Sequence, residues 1–235
     1  MKKDFIKGIK DGIPICLGYL SVSFVFGILA VGLGLSILSA VGISLTNLTS
    51  AGQVAGVGIF AAGGSLLEMA LTQLVINIRY SLMGISLSQK LDGSFNTFHR
   101  MVASFGITDE IFAVAVSQKS VSPFYMYGLT VISALGWVSG TFLGAAAGNI
   151  LPSSISSAMG IVLYGMFLAI IIPPSKKSKG VLITVLVAAA LSIIFKYVLT
   201  SVSGGFAIII CAVLSAAICA VFFPVKEENE EEATE

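Results

Sequence analysis

The chain has 235 residues, of which 56% are hydrophobic and 11% are charged, and its mean hydropathy is +1.00. Because a soluble domain carries about 25% charged residues, this composition excludes an ordinary soluble protein and indicates an integral membrane protein. Apolar segments recur along almost the whole length and leave no room for a soluble domain of the usual size.

The sequence begins with the basic stretch MKKDFIKGIK, and no small-residue cleavage site follows it. We therefore expect a retained first helix rather than a cleaved signal peptide. Residues 1–12 are predicted to be a basic cytoplasmic N-terminus, since cytoplasmic segments carry the excess of Lys and Arg. Residues 13–224 form the predicted transmembrane transporter domain, and the glutamate-rich residues 225–235 form a disordered acidic tail.

A helix needs about 20 apolar residues to cross about 30 Å of hydrocarbon. Six stretches are suitable, at residues 14–35, 65–87, 123–148, 157–172, 181–200 and 206–223. Polar residues interrupt two further apolar stretches, at residues 41–64 and 101–118. We predict an all-α polytopic membrane helix bundle with about 6–8 spans, some of them broken or re-entrant.

Basic residues decide how the interrupted stretches are interpreted. If the N-terminus, Lys90, Arg100, Lys119 and the lysines at 176–179 all face the cytoplasm, neither 41–64 nor 101–118 makes a net crossing. Both stretches are then re-entrant or broken, which is tolerated only where protein or a watery cavity surrounds the backbone. They would mark the working site. The alternative is seven or eight full helices with one charge-rich loop outside.

Polar residues lie on two faces of the predicted helix at 65–87. At 100° per residue, Arg79 shares a face with Glu68 and Thr72, whereas Gln73 and Asn77 lie on a nearly opposite face. Because neither face suits lipid, we expect this helix in the centre of the bundle. Arg79 has three interpretations. It snorkels to the interface, forms a buried ion pair, or binds a carboxylate, whose shape its planar group matches.

The interrupted stretches carry the other polar candidates. Asp109 and Glu110 are adjacent acids, and in an apolar setting one of them must be protonated or paired with a cation. Proton coupling, a pair with Arg79 or an ammonium ligand would satisfy them; an aqueous loop is the alternative. Thr108 is a candidate helix N-cap. TNLTSAGQ, at 46–53, favours either a helix break whose N–H groups suit an anion or a polar external loop.

Glycines at every fourth position in the predicted span at 123–148 favour close packing of another helix. They are Gly136, Gly140, Gly144 and Gly148.

Signatures of enzymes and metal sites are missing from the sequence. Cys16, Cys211 and Cys219 lie singly in apolar runs, which favours small buried residues over disulfides or a metal site. His99 lies beside Arg100 in a predicted loop without further metal ligands. No HExxH, P-loop or GxSxG motif occurs. We expect no enzyme activity, no cofactor, no metal and no nucleic-acid partner.

Five stretches together resemble the AzlC family of branched-chain amino acid permeases, the large subunit of two-component exporters. They are GIPICLGYLSVSFVFG (12–27), SAGQ (50–53), NIRYSLMGISL (77–87), TDEIFAV (108–114) and GWVSGTFLGAAAGNILP (136–152). The resemblance implies export of valine, leucine, isoleucine, methionine or analogues from the bacterial cytoplasm, with a small AzlD-like membrane subunit as partner. Tyr80 stands where the family usually has His, Ser50 stands where it has Phe, and its acidic residue near position 160 is absent.

The resemblance assigns seven residues to the site. Gly52, Gln53, Asn77, Arg79 and Thr108 are the substrate-binding candidates, and Asp109 and Glu110 are the candidates for proton coupling or ion pairing. Gln53, nearby backbone and Arg79 would hold the carboxylate; Asp109 or Glu110 would hold the ammonium group or a proton. Without an ATP-binding motif, proton-coupled export is favoured. A passive channel and a non-transporting membrane assembly subunit are the alternatives.

Overall fold

The computed structural model describes residues 1–148, Gly165, Leu168 and residues 171–223. These residues are mostly α-helical and contain no β-strand apart from one isolated bridge between Leu91 and Val121. The chain divides into two units, Met1–Met166 and Phe167–Glu235, which are treated separately below. Most of the predicted span at 157–172 and the predicted acidic tail at 225–235 lie outside the described residues.

The predicted all-α membrane bundle is confirmed. Among the described residues, four helices, α1, α7, α8 and α9, are long and apolar enough to cross a membrane. In chain order the helices are α1 (Lys2–Gly32), α2 (Ile37–Thr46), α3 (Ser50–Ala61), α4 (Leu66–Ser88), α5 (Thr97–Ser104), α6 (Asp109–Val116), α7 (Pro123–Gly148), α8 (Lys179–Tyr197) and α9 (Gly204–Phe222).

α1 begins at Lys2 rather than at residue 14, so most of the predicted basic N-terminus is helical. Pro14 lies inside this helix and removes one backbone hydrogen bond. Packing against α7 explains why the helix nevertheless extends to Lys2. Gly8 lies against the backbone of Tyr125, and Gly12 lies against the side chain of Ile132.

Glycines bring α1 and α7 into backbone contact, as the four-residue spacing predicts. A Cβ atom at Gly136 would overlap the carbonyl oxygen of Cys16, and one at Gly144 would overlap that of Phe24. The two helices run parallel, because positions that follow each other in α7 meet positions in the same order in α1. The start of both helices therefore forms one end of the pair, here called the N-terminal end, and their finish forms the C-terminal end.

Both interrupted stretches are broken into two short helices, as predicted. α2 and α3 have 10 and 12 residues, and α5 and α6 have 8 each. At 1.5 Å per residue each helix rises at most about 18 Å, which is too short to cross about 30 Å of hydrocarbon. We call residues 37–61 the first broken hairpin and residues 97–116 the second broken hairpin.

The first broken hairpin packs against the C-terminal end of the α1–α7 pair. Ala40 of α2 and Val57 of α3 share a buried cluster with Ala30 and Ala145. Leu48, at the break, belongs instead to the buried cluster that contains Trp137 in the middle of α7. The hairpin thus starts and finishes at the C-terminal end and turns halfway along the pair.

The second broken hairpin packs against the N-terminal end. His99, which lies in α5 and not in a loop as predicted, has its Nδ1 2.6 Å from the Tyr127 hydroxyl. After α6, the Gln118 side chain accepts a hydrogen bond from Lys7 at 2.5 Å. Gly106, at the break, lies against Thr130, farther along α7. The two hairpins therefore enter from opposite ends and their breaks lie at a similar level.

α4 lies at the edge of the first unit, contrary to the predicted central position. An apolar stripe along it is exposed within the described part of this unit. The polar face with Gln73 is turned to α3, and the face with Arg79 is turned to α6. A helix with two polar faces still has a third, apolar face, and that face points outward. Its residues are Leu67, Leu71, Leu74, Ile78, Leu82 and Ile85.

In the second unit, α8 and α9 form an antiparallel pair, because Gly180 at the start of α8 lies against Phe223 beyond the end of α9. Both helices match predicted spans. Cys211 and Cys219 are buried in α9, and these two cysteines and the half-buried Cys16 are free, as predicted.

The α1–α7 contact predicts the effect of adding one methyl group. Gly144→Ala should lower the free energy of unfolding by about 1–3 kcal/mol, because the methyl overlaps the backbone of Phe24. Denaturant unfolding of the protein in detergent measures this. Gly18→Ala is the matched control, since no atom lies within 4 Å of a Cβ there. Equal stability of the two variants would contradict the proposed packing.

Candidate functional site

The two helix breaks face a common cavity of about 170 Å³, which we call the central cavity. Each hairpin contributes its break, and α4 contributes two side chains. Thr49 and Thr108 are the N-caps of α3 and α6, so the N-termini of both helices reach this cavity. The lining residues are Thr46, Asn47, Leu48, Thr49, Asn77, Tyr80, Ser104, Phe105, Ile107 and Thr108.

A second cavity of about 250 Å³, which we call the apolar cavity, lies between α2, α3 and α4. Most of its lining is apolar or glycine, and three amide side chains complete it. Asn47 lines both cavities, so they adjoin at the break of the first hairpin. The lining residues are Leu35, Ile43, Asn47, Gly52, Gln53, Gly56, Val57, Phe60, Met69 and Gln73.

Gln53 holds the first broken hairpin together. Its side chain is 2% exposed, and its Nε2 donates to the carbonyl oxygens of Asn47 at 2.5 Å and Ile43 at 3.4 Å. Its Oε1 accepts from Ser44 at 3.4 Å. Carbonyls at the end of a helix have no partner within the helix, so Gln53 supplies that partner for α2. Both of its N–H groups are used within the protein.

A ladder of amides joins α3 to α4. Gln73 Nε2 donates to the carbonyl oxygen of Gly52 at 2.7 Å, and Asn77 Nδ2 donates to Gln73 Oε1 at 3.1 Å. A Cβ atom at Gly52 would lie 2.6 Å from Gln73 Oε1, so only glycine leaves room for this contact. Asn77 Oδ1 is buried and has no hydrogen-bond partner in the described residues. The central cavity is therefore bordered by a buried acceptor.

Arg79 is paired with the second broken hairpin. Its Nη1 donates to Asp109 Oδ1, and its Nη2 donates to the Tyr80 hydroxyl at 3.2 Å. The side chains of Arg79 and Asp109 are 43% and 40% exposed. The Tyr80 hydroxyl lies 3.4 Å from Thr49 Oγ1, the N-cap of α3. Arg79 therefore forms an ion pair, which was one of its three interpretations, but the pair is partly exposed rather than buried as predicted. Tyr80 connects Arg79 to the first hairpin.

Tyr19 of α1 connects Glu110 to Thr108, which lines the central cavity. Its hydroxyl oxygen lies 2.5 Å from Thr108 Oγ1 and 2.7 Å from Glu110 Oε2. Thr108 Oγ1 also accepts from the backbone N–H of Ile111 at 3.3 Å, which confirms the predicted N-cap. The adjacent acids thus have different partners, since Asp109 pairs with α4 and Glu110 bonds to α1.

The structure brings the seven predicted site residues to one region but not to one surface. Two of them, Gly52 and Gln53, line the apolar cavity, and two others, Asn77 and Thr108, line the central cavity. The charged residues line neither of these cavities. Arg79, which binds Asp109, contacts the cavity-lining Tyr80. Glu110 is linked to the cavity-lining Thr108 through Tyr19. The charged residues are Arg79, Asp109 and Glu110.

Several contacting residues were not predicted. Tyr19 had no sequence signal as a hydrogen-bonding group, because it lies in an apolar run and its partners are distant in sequence. Tyr80 was noted only as a departure from the family's usual His, and its contact with Thr49, 31 positions away, was not predicted. Asn47 and Thr49 belonged to the predicted break at 46–53 but were not singled out. Their position next to the break is the signal that would have identified them, since residues at a break must satisfy backbone groups.

The family described as AzlC protein matches residues 14–151, which include both broken hairpins, α4 and the lining of both cavities. The inner membrane protein YgaZ of Escherichia coli strain K12 is 30% identical over 95% of this chain and 94% of its own length. The chain belongs to the AzlC family. The predicted resemblance is thereby confirmed.

Other relatives of this AzlC-family protein are more distant or match less of the chain. The branched-chain amino acid transport protein AzlC of Bacillus subtilis strain 168 is 23% identical over 71% of this chain and 66% of its own length. An uncharacterized membrane protein of Archaeoglobus fulgidus is 34% identical over 73% of this chain and 76% of its own length. No solved structure gives a significant match.

The contact between Gly52 and Gln73 predicts the result of a second substitution. Gly52→Ala should displace the Gln73 side chain and lower the midpoint temperature of unfolding, because the new methyl collides with Gln73 and Thr49. Circular dichroism during heating measures the midpoint. Gly58→Ala, in the same helix with no atom within 4 Å, should leave it unchanged or raise it slightly. A midpoint for Gly52→Ala as high as that of the control would show that the contact is absent.

Proposed function

We propose that this AzlC-family protein exports branched-chain and similar hydrophobic amino acids by alternating access coupled to the proton gradient. One observation carries the proposal, which is that two opposed broken hairpins meet at a polar central cavity beside an apolar cavity. An amino acid needs a polar site for its backbone groups and an apolar site for its side chain. The name of the Bacillus subtilis relative agrees with this substrate class.

The carboxylate of the amino acid is assigned to Arg79, Tyr80 and the N-terminus of α3. Arg79 already holds the Asp109 carboxylate, so its guanidinium is aligned for another carboxylate. The positive end of a helix dipole favours an anion at the N-terminus of α3. Because the ion pair is partly exposed, exchanging one carboxylate for another requires little new desolvation. Gln53 would support the backbone around this position.

The ammonium group of the amino acid is assigned to two acceptors that line the central cavity. Asn77 Oδ1 is buried without a partner in the described part of the chain. Thr108 lines the same cavity and is 3% exposed. An unpaired buried acceptor is costly, and an ammonium group would supply the missing donor. The branched side chain then occupies the apolar cavity.

The orientation of the protein in the membrane is assigned from the positions of its basic residues. Lys7, Lys90 and Lys119 lie at or beside the N-terminal end of the α1–α7 pair, since Lys7 bonds Gln118 and the Lys90 carbonyl bonds Val121. Residues 33–67, which lead to and from the C-terminal end, contain no Lys or Arg. The N-terminal end would therefore face the cytoplasm. The protein would lie in the bacterial cytoplasmic membrane with a small AzlD-like membrane subunit as partner.

Proton coupling is assigned to the adjacent acids Asp109 and Glu110. Export against a concentration gradient needs an energy source, and the sequence has no P-loop. An inward proton gradient drives export if a proton and the substrate occupy the protein alternately. Asp109 or Glu110 would bind the proton in the state that has released the amino acid.

Reconstituted flux tests the proposed function. Proteoliposomes containing the full chain and a co-purified small membrane subunit should take up labelled leucine and valine saturably, and uptake should rise when the lumen is made more acidic. The gradient drives the exchange of an internal proton for an external amino acid. Non-saturating flux would indicate a pore, and no flux would indicate an assembly subunit.

Arg79→Lys tests the carboxylate assignment. Lysine keeps the charge but loses the planar, two-pronged geometry, so leucine transport should fall at least about tenfold, which corresponds to losing about 1.4 kcal/mol of binding. Arg100→Lys, at the N-terminal end and away from both cavities, is the matched control and should transport normally. Normal transport by Arg79→Lys would contradict the assignment of the substrate carboxylate to Arg79.

A further inference from the structure

Three oxygen atoms form a chain from an exposed acid to the central cavity. The acid is Glu110, which is exposed in the first unit and does not line the cavity. Tyr19 is 6% exposed and lies between Glu110 and Thr108, which does line it. The Tyr19 ring packs edge-on against Trp137, with 5.2 Å between ring centroids. The ring that carries the hydroxyl is therefore packed against a buried neighbour.

The number of hydrogens in this chain fixes the direction of its bonds. A hydroxyl has one hydrogen and two lone pairs, and an ionised carboxylate can only accept. With Glu110 ionised, Tyr19 donates to Glu110, so Thr108 must be the donor in its 2.5 Å contact with Tyr19. Thr108 also accepts from Ile111 N. Its one remaining lone pair is left for the cavity, where it can accept a hydrogen bond.

Protonation of Glu110 allows the opposite direction. Glu110 then donates to Tyr19, Tyr19 donates to Thr108, and Ile111 N keeps the second lone pair of Thr108. The hydrogen of Thr108 is the only group left for the cavity. Two hydroxyl hydrogens rotate, the one proton gained stays on Glu110, and no other covalent bond changes. The group that Thr108 presents to the cavity thus changes from an acceptor to a donor.

We infer that Tyr19 is a positioning residue that makes a proton on Glu110 and an ammonium group in the central cavity exclude each other. An acceptor at Thr108 binds an ammonium group, whereas a donor at the same point repels it. The inference rests on the proposed function, because the ammonium group is that of the amino acid. Mutual exclusion of proton and substrate is what an antiporter requires, and the linkage is reciprocal.

Other charged and titratable groups near Glu110 are already engaged. Asp109 on the same helix pairs with Arg79 of α4, and Tyr80 of α4 bonds Arg79. In α7 the titratable side chains are Tyr125 and Tyr127, which bond Asp11 and His99. In α1 the contact with Glu110 is made by Tyr19. Within the described residues, Tyr19 therefore provides the direct link between Glu110 and the cavity.

The test is the pH dependence of leucine binding to the full chain in lipid nanodiscs. In the unmodified protein the dissociation constant of leucine should rise about tenfold for each unit by which the pH falls, over the range in which Glu110 is protonated. The reason is that one proton on Glu110 excludes one bound ammonium group. In Tyr19→Phe, which keeps the ring but not the hydroxyl, the rise should shrink to less than about twofold. A tenfold rise retained by Tyr19→Phe would overturn the inference.

Tyr125→Phe is the matched control, because it removes a hydroxyl that bonds Asp11 at 2.9 Å and lies outside the cavity. It should keep the full pH dependence. Loss of pH dependence in this variant as well would show that the effect is not specific to Tyr19 and would also overturn the inference.

A second measurement needs no amino acid. The infrared carboxyl band of protonated Glu110, identified by its absence in Glu110→Gln, should move in Tyr19→Phe because its hydrogen bond to Tyr19 is lost. An unmoved band would overturn the inference independently of substrate. If the unmodified protein binds no leucine at any pH while the band does move, the proposed function fails and the link between Glu110 and Tyr19 stands.

Discussion

Unpaired backbone groups at the two helix breaks are the constraint on which the rest of the first unit depends. Lipid cannot satisfy such groups, so a break at membrane depth must be covered by protein or face a polar cavity. Thr49 and Thr108 cap the helices that begin there, and Gln53 binds carbonyls at the end of α2. From α4, Gln73 donates to the carbonyl oxygen of Gly52, close to the first break. The residues that hold the breaks together are thus the residues that border the cavities.

The two hairpins repeat the same arrangement from opposite ends. Each break carries an apolar residue followed by a capping threonine, Leu48–Thr49 in the first and 107–108 in the second. Each threonine contacts a tyrosine hydroxyl from a longer helix, since Tyr80 contacts Thr49 and Tyr19 contacts Thr108. Inverted repeats of this kind place transporter sites between their two halves. Acids follow only the second threonine, so under the proposed function proton chemistry would belong to the second hairpin, whereas residues 37–61 of the first hairpin carry no charge.

Much of this arrangement could be predicted from local sequence. Charge placement indicated that 41–64 and 101–118 were broken, and regular glycine spacing indicated the contact that α7 makes with α1. The start of α1 could not be predicted, because Gly8 and Gly12 act through contacts with a helix more than 100 residues away. The same holds for Tyr19, which bonds a residue 89 positions later. The edge position of α4 was missed because two polar faces were taken to exclude a third, apolar one.

Under the proposed function, the pair of Arg79 and Asp109 also affects which ligand the central cavity would favour. The pair is partly exposed, so water screens its charges and separating them costs less than in a buried pair. An anion that displaced Asp109 from Arg79 would leave Asp109 unpaired, and a cation that displaced Arg79 would leave Arg79 unpaired. In the proposed site a zwitterion would bring one charge of each sign. Its carboxylate would take Arg79, and its ammonium group, bound at Asn77 and Thr108, would bring a compensating positive charge to the same region. Under the proposed function, the ion pair would therefore favour amino acids over simple anions and cations before the amino-acid side chain makes any contact.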